Sequence, residues 1–175
     1  MNLLHAIYVS PGNLLHKAKR SGKLLTEALN ICDETAIRDC LFDFVVSAYH
    51  LWDWIKVYRP DLEQSVTALL SSSESLGACR DLCNASKHVI LTTDRGSYLK
   101  YPPVVDAVSV SATSQASLAE INDAFPNLTN EKVTSVQPAW RLKVQMKSGE
   151  RIAVEVLVSD VIGVWERFFA DNDIR

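Results

Sequence analysis

No apolar run in this sequence approaches the ~20 residues that a helix needs to cross a bilayer. It also has no Walker loop, no dinucleotide-binding glycine motif, no His-Glu-x-x-His and no Gly-x-Ser-x-Gly. Each of those motifs supplies a phosphate cradle, a metal pair or an exposed nucleophile. Without them no cofactor is expected. The stretch Met1–Ser10 carries no basic run and is broken by Pro11-Gly12, so it does not read as a signal peptide, and a cytoplasmic location is the expectation. Cysteine is sparse, and in that compartment Cys32, Cys40, Cys79 and Cys83 are not expected to form disulfides. Cys79 and Cys83 would share a helix face, but structural zinc takes four ligands, usually on tighter Cys-x-x-Cys turns. They read as small apolar fillers, with no metal expected. Positive charge is short as well. The net charge is -3, so any hold on nucleic acid needs a local basic patch or a brief contact rather than a basic surface.

What is present is the material of a core. The 175 residues are 47% hydrophobic and 22% charged, values typical of a globular chain and long enough for one domain. Leu14, Leu15, Ala18, Leu24, Leu25, Ala28 and Leu29 recur at helical spacing and predict a first helix over 13–30. Asp33 or Thr35 can cap a second helix that Pro60 ends. Its sequence is apolar nearly all round, from Leu41 and Phe42 to Ile55 and Val57, which predicts a central rod surrounded by other helices. A short helix over 62–70 capped by Asp61 is expected next, then a turn at Ser71–Ser73, then a helix to about Leu91 and a turn at Asp94-Arg95-Gly96.

Beyond Gly96 the pattern changes. Tyr98–Tyr101 and Val104–Val110 resemble strands split by Pro102-Pro103, and Ser111–Lys132 reads as a loop with helical turns near Leu118–Phe125. Trp140–Met146 and Ile152–Val158 alternate cleanly and predict a hairpin closed by Lys147–Glu150. Ser159 or Asp160 should then cap a last helix carrying Val161, Ile162, Trp165, Phe168 and Phe169. The expected class is α+β and mainly α. An N-terminal bundle of about four helices leads into a small antiparallel β-unit and a C-terminal helix, all in one domain over 1–175.

One helix carries the chemistry-bearing residues. Arg80, Asn84, Lys87 and His88 fall at i, i+4, i+7 and i+8, which puts a permanent cation, an amide, a second cation and an imidazole on one face. Such groups can hold a phosphodiester and move a proton near neutral pH. On the preceding rod, Asp39, Asp43, Ser47 and His50 recur every three or four residues with Asp53 next in line. If that stripe faces Arg80 and His88, its carboxylates would orient the guanidinium and the imidazole, so Asp43 and His50 are supporting candidates.

A bundle whose long apolar second helix precedes a helix with the run Arg80-Asp81-Leu82-Cys83-Asn84-Ala85-Ser86-Lys87-His88 resembles the HEPN superfamily, over about 12–95. It resembles especially the small bacterial proteins that bear an Arg-Asp-x-x-Asn-x-x-Lys-His helix. The resemblance implies a HEPN-like bundle over 12–95, with the β-unit and C-terminal helix over 96–175 outside it. It also implies metal-independent RNA cleavage in toxin or phage-defence biology, by two protomers that bring their motifs together. Arg80 would be the phosphate clamp, His88 the proton-transfer group, and Asn84 and Lys87 supporting donors. Seven residues separate Arg80 from His88 here, where the family's ribonucleases usually have four to six. The two then sit about 12 Å apart along the axis, at 1.5 Å per residue.

The plain reading is that these polar residues tie helices together. The functional alternative to RNA cleavage is then a non-catalytic assembly module that binds a protein partner or a second copy of itself. RNA, a second copy and a protein partner are the expected partners, and a membrane is not. By the same reasoning Trp52, Trp54, Trp140 and Trp165 are core or interface anchors. The basic run His16-Lys17-Ala18-Lys19-Arg20 is a solvated helix face, and His5 and His16 have no assigned role.

Overall fold

The chain is described by a computed structural model that covers residues 8–87, 105–111, 139–146 and 148–175. It is α+β and mainly α: a helical bundle, a three-stranded antiparallel sheet and a closing helix. The expected turn at Asp94-Arg95-Gly96, the strand at Tyr98–Tyr101 and the helical turns near Leu118–Phe125 lie outside the described residues.

Helix α1 spans Pro11–Asn30. Ser10 caps it by accepting from the Asn13 amide, and Pro11 sits in the first turn, where an absent N–H costs nothing. The chain leaves α1 through a Schellman turn: the Asp33 amide donates to Ala28 O at 3.1 Å and the Cys32 amide to Leu29 O at 3.4 Å. Cys32 takes the left-handed position, at φ 57°, that glycine usually fills. Asp33 then caps α2, Glu34–Tyr58, by accepting from the Ala36 amide at 3.0 Å. Helix α2 ends just before Pro60, as the sequence predicts, and Pro60–Leu62 form a single 3-10 turn.

The short helix differs in its ends. Helix α3 runs Glu63–Ser72, so Ser71 and Ser72 are helical. The break is confined to Ser73, whose hydroxyl accepts from the Leu76 amide at 3.3 Å and opens α4, Glu74–Lys87. Asp61 does not cap α3. Its carboxylate is held instead by Arg59, at 2.9 and 2.7 Å.

Strand β1, Val105–Ser111, pairs antiparallel with β2, Ala139–Gln145, with a register shift between Asp106 and Ser109. Strand β2 pairs with β3, Arg151–Ala153. In the connection the Met146 amide donates to Glu150 O at 2.7 Å, and Gly149 adopts φ 90°, a conformation open to glycine. Leu142, Val144 and Met146 are buried, the alternation of a half-buried strand.

The expected strand over Ile152–Val158 holds only at its start, Ile152–Ala153, and is overturned from Val154 onward. After Ala153 the chain turns into helix α5, Val154–Asp171. The segment carries two periods at once. Val154, Val156 and Val158 alternate, but Val154, Leu157, Val158, Val161 and Trp165 also fall at helical spacing. Burial selects the second. Leu157 and Val161 are fully buried, whereas Val156, which a strand would have turned inward with Val154 and Val158, is 48% exposed.

Helix α5 packs on α1, α4 and β2, and side chains from both halves of the chain form one hydrophobic cluster. Phe44, Leu51 and Ile55 of α2 share that cluster with Trp165 and Phe168 of α5. The helices α1 and α5 approach closely at Gly22, where a β-carbon would lie 2.6 Å from Val158 Cγ1. None of the described helices is long and apolar enough to cross a membrane.

The picture of α2 as a rod enclosed on all sides is also corrected. Its core side is formed by Phe44, Ala48, Leu51 and Ile55, but Phe42, Val57 and Tyr58 are 46%, 75% and 44% exposed. Its neighbours α1, α3 and α4 leave one apolar flank of the helix open.

Candidate functional site

Helix α4 lies against α2, and a sulfur contact fixes which faces meet. Cys79 Sγ donates to Val45 O at 3.6 Å, and Cys79 and Cys83 are both fully buried in the seam. Burial, more than the neighbouring Cys83, pushes the Cys79 thiol far above its ordinary range, so it stays protonated and acts as a filler.

One residue beyond Cys79, Arg80 leaves the buried stripe. Its Nε donates to Asp81 Oδ1 at 2.7 Å, and the two side chains are only 22% and 15% exposed. Among the described residues, the carboxylate that holds Arg80 is that of its own sequence neighbour. Asn84, one turn on, is half-buried. Lys87 is the last residue of α4, and His88 lies outside the described residues.

The expected facing of α2 is not what the structure shows. Asp43 is exposed and pairs with Lys17 of α1 at 3.4 Å. The reason is angular: Asp43 and Val45 are two residues, about 200°, apart around a helix. With Val45 against α4, the stripe through Asp39 and Asp43 is turned away from it. His50 lies on that same stripe, and its carboxylate partner comes from its own helix: Nδ1 is 2.9 Å from Asp53 Oδ2.

On α2, Tyr49 is a residue whose ionisation feels the charge of Arg80. Burial raises its phenol above the ordinary range, the negative charge of Asp53 adds to the rise, and the positive charge of Arg80 opposes it. The Tyr49 ring lies 5.6 Å from that of His50 and 6.1 Å from that of Trp52. Lys56 Nζ sits 3.6 Å from the Trp52 ring centroid and 3.8 Å from Asp53 Oδ1. One cluster thus holds Tyr49, His50, Trp52, Asp53 and Lys56 on α2, with Arg80 and Asp81 acting on Tyr49 from α4. Asp53 stands in line with His50 in the sequence; Lys56 is not singled out there, although its spacing at i+6 from His50 carries the signal. Tyr49 and Trp52 are not legible as functional candidates, since an aromatic on an apolar helix signals packing first.

The basic run of α1 is largely neutralised. Lys17 pairs with Asp43, Lys19 with Glu166 of α5 at 2.5 Å, and Lys23 with Glu27 at 3.7 Å. A cleft of about 520 Å³ opens between the first turn of α4, the hairpin and α5, with Glu74, Glu150, Asp160 and Arg167 among its lining, and neither Arg80 nor Asn84 borders it. No family model, no curated protein and no solved structure matches the chain.

Proposed function

We propose that this chain is an RNA-directed protein of HEPN-like type, acting as a metal-independent endoribonuclease in toxin or phage-defence biology. The observation that carries the reading is the state of Arg80. A guanidinium fixed by Asp81 and mostly shielded from water, yet still 22% exposed, is a preorganised cation that a phosphate can reach. Its charge is screened less than that of a surface arginine. Arg80 would stabilise the charged phosphorane, His88 would transfer a proton, and Asn84 and Lys87 would donate hydrogen bonds to the phosphate oxygens.

The test is degradation of RNA by purified protein in the presence of a chelator. Arg80→Ala is expected to slow cleavage by about 10²-fold and His88→Ala by about 10²-fold or more, with thermal melts that show each variant folded. Equal rates for all three proteins would refute the reading.

The open flank of α2 favours a second reading, a non-catalytic assembly module that pairs with a second copy or another protein. Phe42 and Val57 are large apolar side chains in water, and a partner would cover them. Under that reading the wild type sediments as a dimer at micromolar concentration and Val57→Glu as a monomer. A wild-type monomer would speak against self-pairing.

A further inference from the structure

The cleft between the first turn of α4, the hairpin and α5 stands apart from Arg80. Its volume of about 520 Å³ falls in the range of small-molecule pockets, roughly 300–1,000 Å³. We infer that it binds a small ligand with two cationic nitrogens and one carboxylate, the groups of a basic α-amino acid. The inference goes beyond the RNA-directed reading and does not depend on it.

The lining is part apolar and part charged. Met146 is buried, and Ile152 and Val164 are partly buried, whereas Glu150, Asp160 and Arg167 are exposed to solvent. Asp160, Gly163, Val164 and Arg167 fall at i, i+3, i+4 and i+7, so one face of α5 borders the cleft. Glu74 Oε1 accepts from the Ser148 amide at 2.8 Å, which ties the hairpin to α4 and steadies the other walls. Among the described residues, no ion pair or hydrogen bond engages the side chains of Glu150, Asp160 or Arg167. Opposite charges therefore share the cleft without neutralising one another. Seven residues put Asp160 and Arg167 about 10 Å apart along α5. The guanidinium folds part of the way back, because a β-carbon on Gly163 would lie 3.5 Å from Arg167 Nη1. It rests over Gly163, about one turn short of Asp160. A group that carries an anion and a cation side by side suits that gap.

The balance of charge sets the ligand class. Two carboxylates and one guanidinium call for two cations and one anion. Arg167 takes the ligand carboxylate with a planar pair of N–H donors. Asp160 accepts from the α-ammonium, and Glu150 from the cation at the end of the side chain. The aliphatic stem between them lies on Met146, Ile152 and Val164. A diamine leaves Arg167 without a partner, and a neutral amino acid leaves Glu150 without one.

The test is calorimetric titration of the full chain with lysine, cadaverine and norleucine. Cadaverine is lysine without its carboxylate, and norleucine is lysine without its second cation. Lysine is expected to bind saturably, and each of the other two at least about tenfold more weakly. Arg167→Gln should weaken lysine about tenfold and leave cadaverine unchanged, and Glu150→Gln should weaken lysine about tenfold and leave norleucine unchanged. Both side chains are exposed, and thermal melts would show each variant folded. No saturation with lysine by about 10 mM would overturn the inference. So would equal affinity for lysine and cadaverine, or lysine binding that neither variant alters. RNA cleavage plays no part in these titrations, so their failure leaves the RNA-directed reading standing, and its failure leaves them unaffected.

Discussion

Tyr49 is where the two helices of the candidate site act on one group. Its phenol is pushed above the ordinary value near 10 first by burial and then by Asp53, with Arg80 pulling the other way. The sign of the consequence follows from proton counting. Above pH ~10 the unfolded chain releases the phenolic proton while the folded chain keeps it, so unfolding is favoured as pH rises. The stabilising effect of a neutral Tyr49 is fully present below that range and is lost as pH climbs through it. Tyr49→Phe should flatten the dependence of stability on pH between roughly 9 and 11 relative to the wild type. Denaturant melts at each pH would show it, and parallel curves for the two proteins would mean that Tyr49 ionises as freely folded as unfolded. Arg80→Ala should steepen the wild-type dependence, because a cation that opposes the rise is then gone.

Among the elements, α1 and α5 pack closely at Gly22. Two effects compete when alanine replaces that glycine. A helix-interior Gly→Ala change stabilises by about 1 kcal/mol through backbone entropy. A β-carbon 2.6 Å from Val158 Cγ1 must push the helices apart, at about 1–3 kcal/mol. Overpacking should win, so Gly22→Ala lowers stability, and adding Val158→Ala should recover at least about 1 kcal/mol by coupling. Simple additivity of the two changes in denaturant melts would show that α5 does not press on α1 there. The same element shows how far sequence reasoning reached. Helices α1 and α2 were legible because periodicity agreed with the Asp33 cap and with Pro60 at the far end; the Ser10 cap, which starts α1 two residues earlier than periodicity did, was not. Strand β2 was legible because Leu142, Val144 and Met146 alternate against a single buried face. The start of α5 was not, because valines at 154, 156 and 158 satisfy both periods and only the shape of the core decides which of them is buried. In the candidate site, Arg80 and Asn84 were legible from spacing on α4. The partner of Arg80 was not, since nothing in a sequence says whether Asp81 or a carboxylate of α2 arrives first. Rotation of α2 about its axis settled that: it gave Asp43 to Lys17 and brought Tyr49 toward α4.

At the scale of the molecule, one hydrophobic cluster runs from the bundle into α5 and β2, so the sheet and closing helix buttress the bundle that holds α2 and α4 together. The cation of the candidate site therefore rests on a seam with little freedom to move, flanked by Cys79 and Cys83 packed without exposure. A seam of that kind suits preorganised stabilisation of a developing charge, which gains most from donors that need not rearrange. It also explains why a chain of net charge -3 can be proposed to act on RNA. The contact is one shielded guanidinium with a few helpers, and the surface lysines of α1 are already paired with carboxylates. Binding should accordingly weaken only shallowly with salt, by about one released counterion for the single phosphate clamp. The role of Arg80 is tested most sharply by the identity of the RNA ends produced in excess chelator by wild type and by Arg80→Ala. The wild type is expected to give fragments with 2′,3′-cyclic phosphate and 5′-hydroxyl ends, and the variant about 10²-fold less of them. Intact RNA, equal yields from the two proteins, or cleavage that appears only when a divalent metal is supplied would contradict that role.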